Sequence, residues 1–320
     1  MKCTALYSHS ESVAIQTVYG LGAPFSIIGS GFILLSAIMF PKLRKTTAIP
    51  IFALSFADFF KSILYLSDAI GNPGDKCVTN QWCACSGGLR NFFGLASFLF
   101  IAAIATMGFL SAGGKIPGLS SWDQDFVKSD KWTIVHQAVG WGFPAFSLLI
   151  IYTASNDVIG DVGGKCWITS EYRYLRWLMY YLPLLLIFIY VCILCYLTYK
   201  LISNIGVPDD IRKKIRNRLM MYSLIFVFIR FWSLLDTIIS SINGHDRVFF
   251  FTILHSLFSP WQGFANAYVY GIRNVEVKRK WKAFYEEHLA EHFGGESVDG
   301  GTSAIDAIEP KALEDEGDDC

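Results

Sequence analysis

The chain has 320 residues, of which 53% are hydrophobic, 16% aromatic and only 17% charged, far from the average of a soluble globular domain. Its 27 basic and 27 acidic side chains balance; loops between the apolar stretches are mostly short, leaving little for a soluble domain, and no nucleic-acid-binding domain is expected. The placement of charge, rather than its sum, carries the information.

A hydrocarbon core of about 30 Å takes roughly 20 apolar residues per helix. Stretches of that kind fall at Ala14–Phe40, Ala48–Ile70, Gly88–Ser111, Thr133–Ser155, Leu175–Ile202, Leu219–Ile242 and Val248–Gly271. The expected fold is therefore an all-α membrane protein, a seven-transmembrane bundle over residues 14–271 with an amphipathic surface helix after it. Residues 1–13 have one lysine and no apolar core, so they are expected as an extracellular tail, with helix one as its own insertion signal. On helix one, Gly22, Ser26 and Ser30 recur every four residues and mark a close-packing face.

Ionisable groups at bilayer depth need a partner or a wet cavity. In helix two, Ser55, Asp58, Ser62 and Tyr65 share a face, and Asp58 lies about 15 Å from the inner end. Lys61, three residues on, is placed to neutralise it. Helix six carries Arg230, Ser233, Thr237 and Ser240 in the same manner, with Arg230 about 16 Å deep. Helix seven carries His255, Ser259, Gln262, Asn266 and Tyr270 as a continuous polar stripe. Such stripes face the bundle interior. They fit two roles: interhelical hydrogen-bond glue worth about 1 kcal/mol each, or a polar core whose pairings differ between two states.

Eight cysteines divide by side. Cys3, Cys77, Cys83, Cys85 and Cys166 precede or follow outer helix ends, where a disulfide persists. Cys192 and Cys195 lie inside helix five as packing residues. Beyond the bundle, Val277, Trp281, Phe284, Tyr285, His288 and Leu289 recur at helical spacing among Lys278, Arg279, Lys280 and Lys282. Residues 272–293 are thus expected to lie on anionic lipid. Residues 294–320 turn acidic and Gly-rich without periodicity, the composition of a disordered cytoplasmic tail.

Lys and Arg set the orientation. One set of alternate connections, with the segment after helix seven, holds about 17, among them Lys42, Arg44, Lys115, Arg212, Lys213, Lys214 and Lys280. The other side holds about 6, Lys2, Lys76, Lys165, Arg173, Arg176 and Arg247. The amino terminus is therefore expected outside and the carboxyl terminus in the cytoplasm, most simply at the plasma membrane.

Several strings occur in order on the right helices: Gly29–Leu34 with Leu43-Arg44, Leu54-Ser55-Phe56-Ala57-Asp58, and Phe92 through Leu99. Gly140-Trp141-Gly142-Phe143-Pro144, Cys166-Trp167-Ile168, Tyr181-Leu182-Pro183 and Gln262 through Gly271 follow. Over about residues 20–272 the chain resembles the cyclic-AMP-receptor-like branch of the G-protein-coupled receptors. The resemblance implies a disulfide from Cys83 to Cys166, with Cys77 and Cys85 as competitors or as a second pair. It also implies a heterotrimeric G protein as partner. Asp58 resembles the helix-two aspartate of rhodopsin-like receptors, and Asn266 to Tyr270 has the spacing of their Asn-Pro-x-x-Tyr without its proline. In that class the two elements meet through water and sometimes sodium; here Lys61 is placed to supply the counter-charge. Helix three ends Ala105-Thr106-Met107-Gly108-Phe109-Leu110-Ser111, without an acidic-Arg-aromatic triplet.

The expected function is a cell-surface receptor, with no cofactor and no catalytic role, for an extracellular small-molecule ligand. Arg90, Arg176, Tyr180, Asp236 and His255 would line its pocket. Arg90, Arg173 and Arg176 suit a small anion such as a cyclic-AMP-like phosphate, or else meet headgroups, Asp68 and Asp161. Asp58, Lys61, Arg230, Gln262, Asn266 and Tyr270 would form the switch. Arg212, Lys213 and Lys214, in a third inner loop over residues 209–218, would touch the cytosolic partner. The principal rival is a seven-helix ligand-binding or trafficking protein that does not couple. A transporter lacks the expected internal repeat, a retinal protein lacks its helix-seven lysine, and a metallohydrolase lacks clustered ligands in the bundle.

Overall fold

The computed structural model describes residues 8–44, 48–71, 81–111, 130–155, 157–162, 166–204, 209–242, 248–272 and 275–288. Lys2, Cys3, Lys76, Cys77, Lys165, Arg247, Leu289, the connection 112–129 with Lys115, and the acidic segment 294–320 lie outside the described residues. Two units are distinguished, Met1–Lys278 and Arg279–Cys320.

The first unit is a helical bundle. Its elements are α1 (His9–Met39), α2 (Ile49–Gly71), α3 (Gln81–Ser111), α4 (Asp130–Ala154), the strands β1 (Ile159–Asp161) and β2 (Cys166–Ile168), α5 and α6 (Asp209–Ile242), then α7. The helix α5 runs as Arg173–Arg176, a π turn Trp177–Tyr181 and Leu182–Asn204. The seventh predicted stretch, α7, is built in pieces: Phe249–Phe258, a 3₁₀ turn Ser259–Trp261, Gln262–Ala267 and a π turn Tyr268–Ile272. Six helices, α1 to α6, are each long and apolar enough to cross a membrane. The helix α8 (Val275–His288) follows, with Lys282 and Glu286 3.6 Å apart at i,i+4.

Several helix starts lie earlier than hydropathy predicts, each for a local reason. The helix α1 begins at His9, not Ala14, because Ser8 and Glu11 form a capping box: the Glu11 amide donates to Ser8 Oγ and the Ser8 amide to Glu11 Oε2 at 2.8 Å, satisfying two orphan donors. At its other end Arg44 donates from Nε to the Ala37 carbonyl at 2.6 Å and from Nη2 to Ile38 at 3.2 Å, closing the last turn. The helix α3 begins at Gln81 rather than Gly88. Gly87 and Gly88 are contact points there and not breakers. A Cβ on Gly87 would come within 2.4 Å of the Ile159 side chain, and one on Gly88 within 2.3 Å of the Tyr152 hydroxyl. The expected third inner loop is corrected as well. Arg212, Lys213 and Lys214 lie in the first two turns of α6, whose 34 residues extend about 51 Å, well past a core of about 30 Å.

Pro260 divides α7, since proline has no N–H and its ring collides with the carbonyl four residues back. The gap is filled from α1: Ser26 Oγ donates to the Pro260 carbonyl and accepts the Phe264 amide at 3.1 Å. That close approach is what the Gly22-Ser26-Ser30 face provides. A Cβ on Gly29 would stand 2.9 Å from the Phe264 Cα, and one on Gly22 2.9 Å from Pro260 Cβ. Gly29→Val should therefore push α1 off α7 and destabilise the protein by about 1–3 kcal/mol. Thermal unfolding of the purified protein measures this, and a variant as stable as wild type would contradict the packing.

Burial identifies the centre. The apolar window of α3 is 78% buried, against 22% in α4 and 28% in α5. Leu95, Ala96, Phe98 and Phe100 are fully enclosed. Phe56, Phe92, Phe100 and Trp141 interlock at the α2–α3–α4 seam, with Phe100 and Trp141 centroids 5.0 Å apart. Leu21, Ile28, Ile134, Phe146, Leu149 and Leu186 face outward, the apolar exterior of a helical membrane bundle, where lipid is as good a solvent as a neighbouring helix.

Candidate functional site

Two buried polar clusters sit inside the bundle at different depths. The inner one centres on Asp58, which is 0% exposed, with Lys61 at 2% and Arg230 at 1%. Lys61 Nζ donates to Asp58 Oδ1 at 2.6 Å. The same carboxylate oxygen accepts Ser97 Oγ at 3.0 Å, and Oδ2 accepts the Asn266 amide at 2.9 Å. Gln262 ties this group to helix six: its Nε2 donates to Ser97 Oγ at 2.9 Å, while its Oε1 accepts both Lys61 Nζ at 3.4 Å and Arg230 Nη2. Arg230 Nη1 donates to Ser259 Oγ at 3.1 Å, and Ser259 meets the Tyr65 hydroxyl at 3.4 Å. The guanidinium lies over the Phe98 ring, 4.6 Å from its centroid. One network thus joins α2, α3, α6 and α7 through a single carboxylate and two cations.

Two neighbours on the α2 face stand apart from it. Ser55 and Ser62 bond back to the carbonyls of Ile51 and Asp58, at 2.8 and 2.7 Å, as serines in helices do. Tyr270 is buried in the second π turn, its ring edge-on to Phe52 at 5.8 Å.

The other cluster contains the five residues expected to line a pocket, in three contact groups. Arg90 pairs with Asp68 and donates to the Leu64 carbonyl at 3.3 Å. It also lies 5.2 Å from the centre of the Tyr65 ring, which stacks on Tyr19 at 4.8 Å. Of the two roles open to Arg90, the pairing with Asp68 is the one present. Its Nε and Nη1 have no partner among the described residues. Asp236 on α6 accepts Thr252 Oγ1 at 2.8 Å and faces His255 Nδ1 at 3.6 Å on α7. Arg176 donates to the Ile168 carbonyl of β2, and Tyr180 stands edge-on to Trp167 at 4.8 Å and to Phe98 at 5.5 Å. Arg173, expected on the same face, is exposed.

The hairpin accounts for this last group. Antiparallel β1 and β2 pair Ile159 with Ile168 and Asp161 with Cys166. All of β2 is buried, and a disulfide joins Cys166 to Cys83 in the first turn of α3, the pairing the resemblance implies. Cys85 is exposed and carries a free thiol. The hairpin therefore lies in the bundle mouth, with Trp167 against Tyr180.

Tyr19, Ser97 and Thr252 also belong to these clusters, though the polar stripes do not include them. Thr252 is one turn from His255, a usable signal. Ser97 sits in an otherwise apolar run, and Tyr19 has no polar neighbour at helical spacing to single it out.

At the carboxyl-terminal end of α3, Thr106 meets the Tyr190 hydroxyl of α5 at 2.7 Å. Ala105, Gly108, Phe109, Leu194, Cys195, Thr198 and Ser223 line a crevice between α3, α5 and α6. Small and apolar groups thus line this end of α3, where the sequence has no acidic-Arg-aromatic triplet.

Comparison with known proteins agrees with this architecture. The family model described as slime mold cyclic AMP receptor matches residues 8–294. Cyclic AMP receptor-like protein A of Dictyostelium discoideum is 26% identical over 297 residues, covering 88% of this chain and 70% of the relative. Cyclic AMP receptor-like protein C of the same organism is 26% identical over 72% of this chain and 65% of its own length. Cyclic AMP receptor 4 is 25% identical over 48% of this chain and 34% of its own length. The family is a receptor family and not an enzymatic one, and the apolar helices make this an integral membrane protein. The chain belongs to the slime mold cyclic AMP receptor family.

Proposed function

We propose that the chain is a seven-transmembrane cell-surface receptor, amino terminus outside, that binds a small extracellular ligand in its outer half and signals to a cytosolic G protein. The observation that carries this reading is the Asp58–Lys61–Gln262–Arg230 network, in which one carboxylate and two cations couple four helices at mid-depth. A passive bundle gains little from such groups: replacing buried ion pairs by apolar residues is often neutral or stabilising. A bundle that must occupy two packings can use them.

The ligand is a small anion with a phosphate or comparable group. The unpartnered Nε and Nη1 of Arg90 support this, since a guanidinium edge suits an oxyanion. Cyclic AMP is the first ligand to test, because the relatives are named for it. A fusion of the whole chain to a G-protein-release reporter, screened against cyclic nucleotides and small organic anions, tests the reading. A dose-dependent response lost in Arg90→Gln, at unchanged surface expression, would support it. Silence across several G-protein classes would favour a non-coupling ligand-binding or trafficking protein, the reading that the uncharged inner end of α3 favours.

The cytosolic contact is assigned to the basic first turns of α6 and to α8 lying on the inner leaflet. Changing Arg212, Lys213 and Lys214 together to Ala should lower reporter coupling about tenfold or more while surface expression holds, because rim charges act chiefly on association. Unchanged coupling in the triple variant would remove this segment from the contact.

A further inference from the structure

We propose that Lys61 and Arg230 are alternative counter-ions of Asp58, and that exchanging one for the other moves α6 between two packings. The inference rests on the receptor reading for its biological use, though not for its test.

Three features of the network point to it. First, the charges do not balance: among the described residues Asp58 is the one carboxylate in a cluster with two fully buried cations. Second, the cations are held side by side, since both donate to Gln262 Oε1; Lys61 Nζ and Arg230 Nη2 are then separated by no more than two hydrogen-bond lengths, about 6 Å. Ser97 Oγ bonds both Asp58 Oδ1 and Gln262 Nε2, at 3.0 and 2.9 Å, so the partner of Arg230 is linked directly to the partner of Lys61. Third, Arg230 keeps an unpartnered Nε among the described residues, and a planar guanidinium matches a carboxylate through two parallel bonds where an ammonium offers a point charge.

The consequence is mechanical. Lys61 and Asp58 lie on the same helix, so their ion pair by itself joins α2 to no other helix; the ties to α3 and α7 are hydrogen bonds to the neutral side chains of Ser97, Asn266 and Gln262. In the present packing Arg230 instead holds α6 to α7 through Ser259 and Gln262, at the Pro260 break. If Arg230 moves to Asp58, α6 is released from that break and tied to α2. Lys61 would then turn to Gln262 Oε1, the acceptor it already shares. The exchange conserves the number of ion pairs while changing which helices they join, as required of a two-state element with a small energy gap.

A double-mutant cycle on the purified full chain in lipid nanodiscs tests this. Asp58→Asn and Arg230→Gln are combined in the wild-type background and again with Lys61→Met, reading the unfolding equilibrium. With Lys61 in place, coupling between positions 58 and 230 should be less than about threefold. With Lys61→Met, Arg230 is the remaining cation, and coupling should rise to tenfold or more. Equal coupling in the two backgrounds, or none in either, would overturn the exchange. Where Lys61→Met gives too little folded protein, Lys61→Gln serves the same cycle. The G-protein reporter is read separately. Coupling that appears as expected in a chain that never signals would keep the exchange and remove the receptor reading, while a signalling chain without it would do the reverse.

Discussion

Asp58→Leu should give little or no folded protein, and Asp58→Asn should fold with a loss of about 3–5 kcal/mol, the scale seen when one partner of a buried ion pair is removed. The geometry explains the size. Asp58 is fully enclosed and accepts from Lys61, Ser97 and Asn266 together, so its removal takes the acceptor from Ser97 and Asn266 and leaves the Lys61 ammonium with Gln262 at 3.4 Å and no counter-charge. An unpaired charge in a low-dielectric interior is among the few single changes that exceed ordinary mutational effects. Asparagine keeps the shape and one acceptor oxygen, hence the gentler expectation. Adding Lys61→Met to Asp58→Asn should recover much of the loss, because removing both members of a pair is far less harmful than removing one. Thermal unfolding and surface yield read this directly, and an Asp58→Asn protein as stable as wild type would show that Asp58 does not hold the network. Reporter output at matched yield adds a second dimension: loss of yield alone marks the network as structural glue, and altered basal signalling in the folded fraction marks it as part of the switch.

How much of this was legible beforehand depends on whether the signal was local. Asp58 and Lys61 sit at i,i+3, and His255, Ser259, Gln262 and Asn266 recur at helical spacing in an apolar stretch, so the inward face followed from 100° per residue. The packing face of α1 was visible for the same reason: its small residues repeat with the helix. Helix starts were less legible. Hydropathy fades where polar capping residues begin, so the Ser8–Glu11 box and the basic turns of α6 fell outside the expected helices although they belong to them. The hairpin was not legible at all. Its strands are three residues each, their register is fixed across a connection, and what buries β2 is the bundle mouth. The choice made by Arg90 between Asp68 and a ligand is likewise non-local, since α2 and α3 must pack before the two can meet.

The largest effect outside the charged core is expected from the disulfide. Cys83→Ser, or equally Cys166→Ser, should destabilise the protein by about 2–4 kcal/mol, a fall in melting temperature on the order of 5–15 °C. The bond closes a loop with a sequence separation of 83, so its loss frees a long segment in the unfolded chain, and it ties β2 to the first turn of α3. What remains would be the Arg176 bond to the Ile168 carbonyl, the Trp167–Tyr180 contact and the packing of Ile159 on Gly87. These contacts hold β2 only while the hairpin is already in place, so the mouth should open more often in the variant. Two consequences separate anchoring from a general loss of fold. Reductant should lower the melting temperature of the wild-type protein by a similar amount and leave Cys83→Ser unchanged, while Cys85→Ser, at an exposed free thiol, should alter stability by less than about 0.5 kcal/mol. Hydrogen exchange at the amides of residues 158–169 should rise in Cys83→Ser well before exchange in α3 does, because local opening of the mouth precedes global unfolding. Equal melting of Cys83→Ser and wild type, with and without reductant, would mean that this bond does not hold the hairpin in the protein as it exists in the membrane.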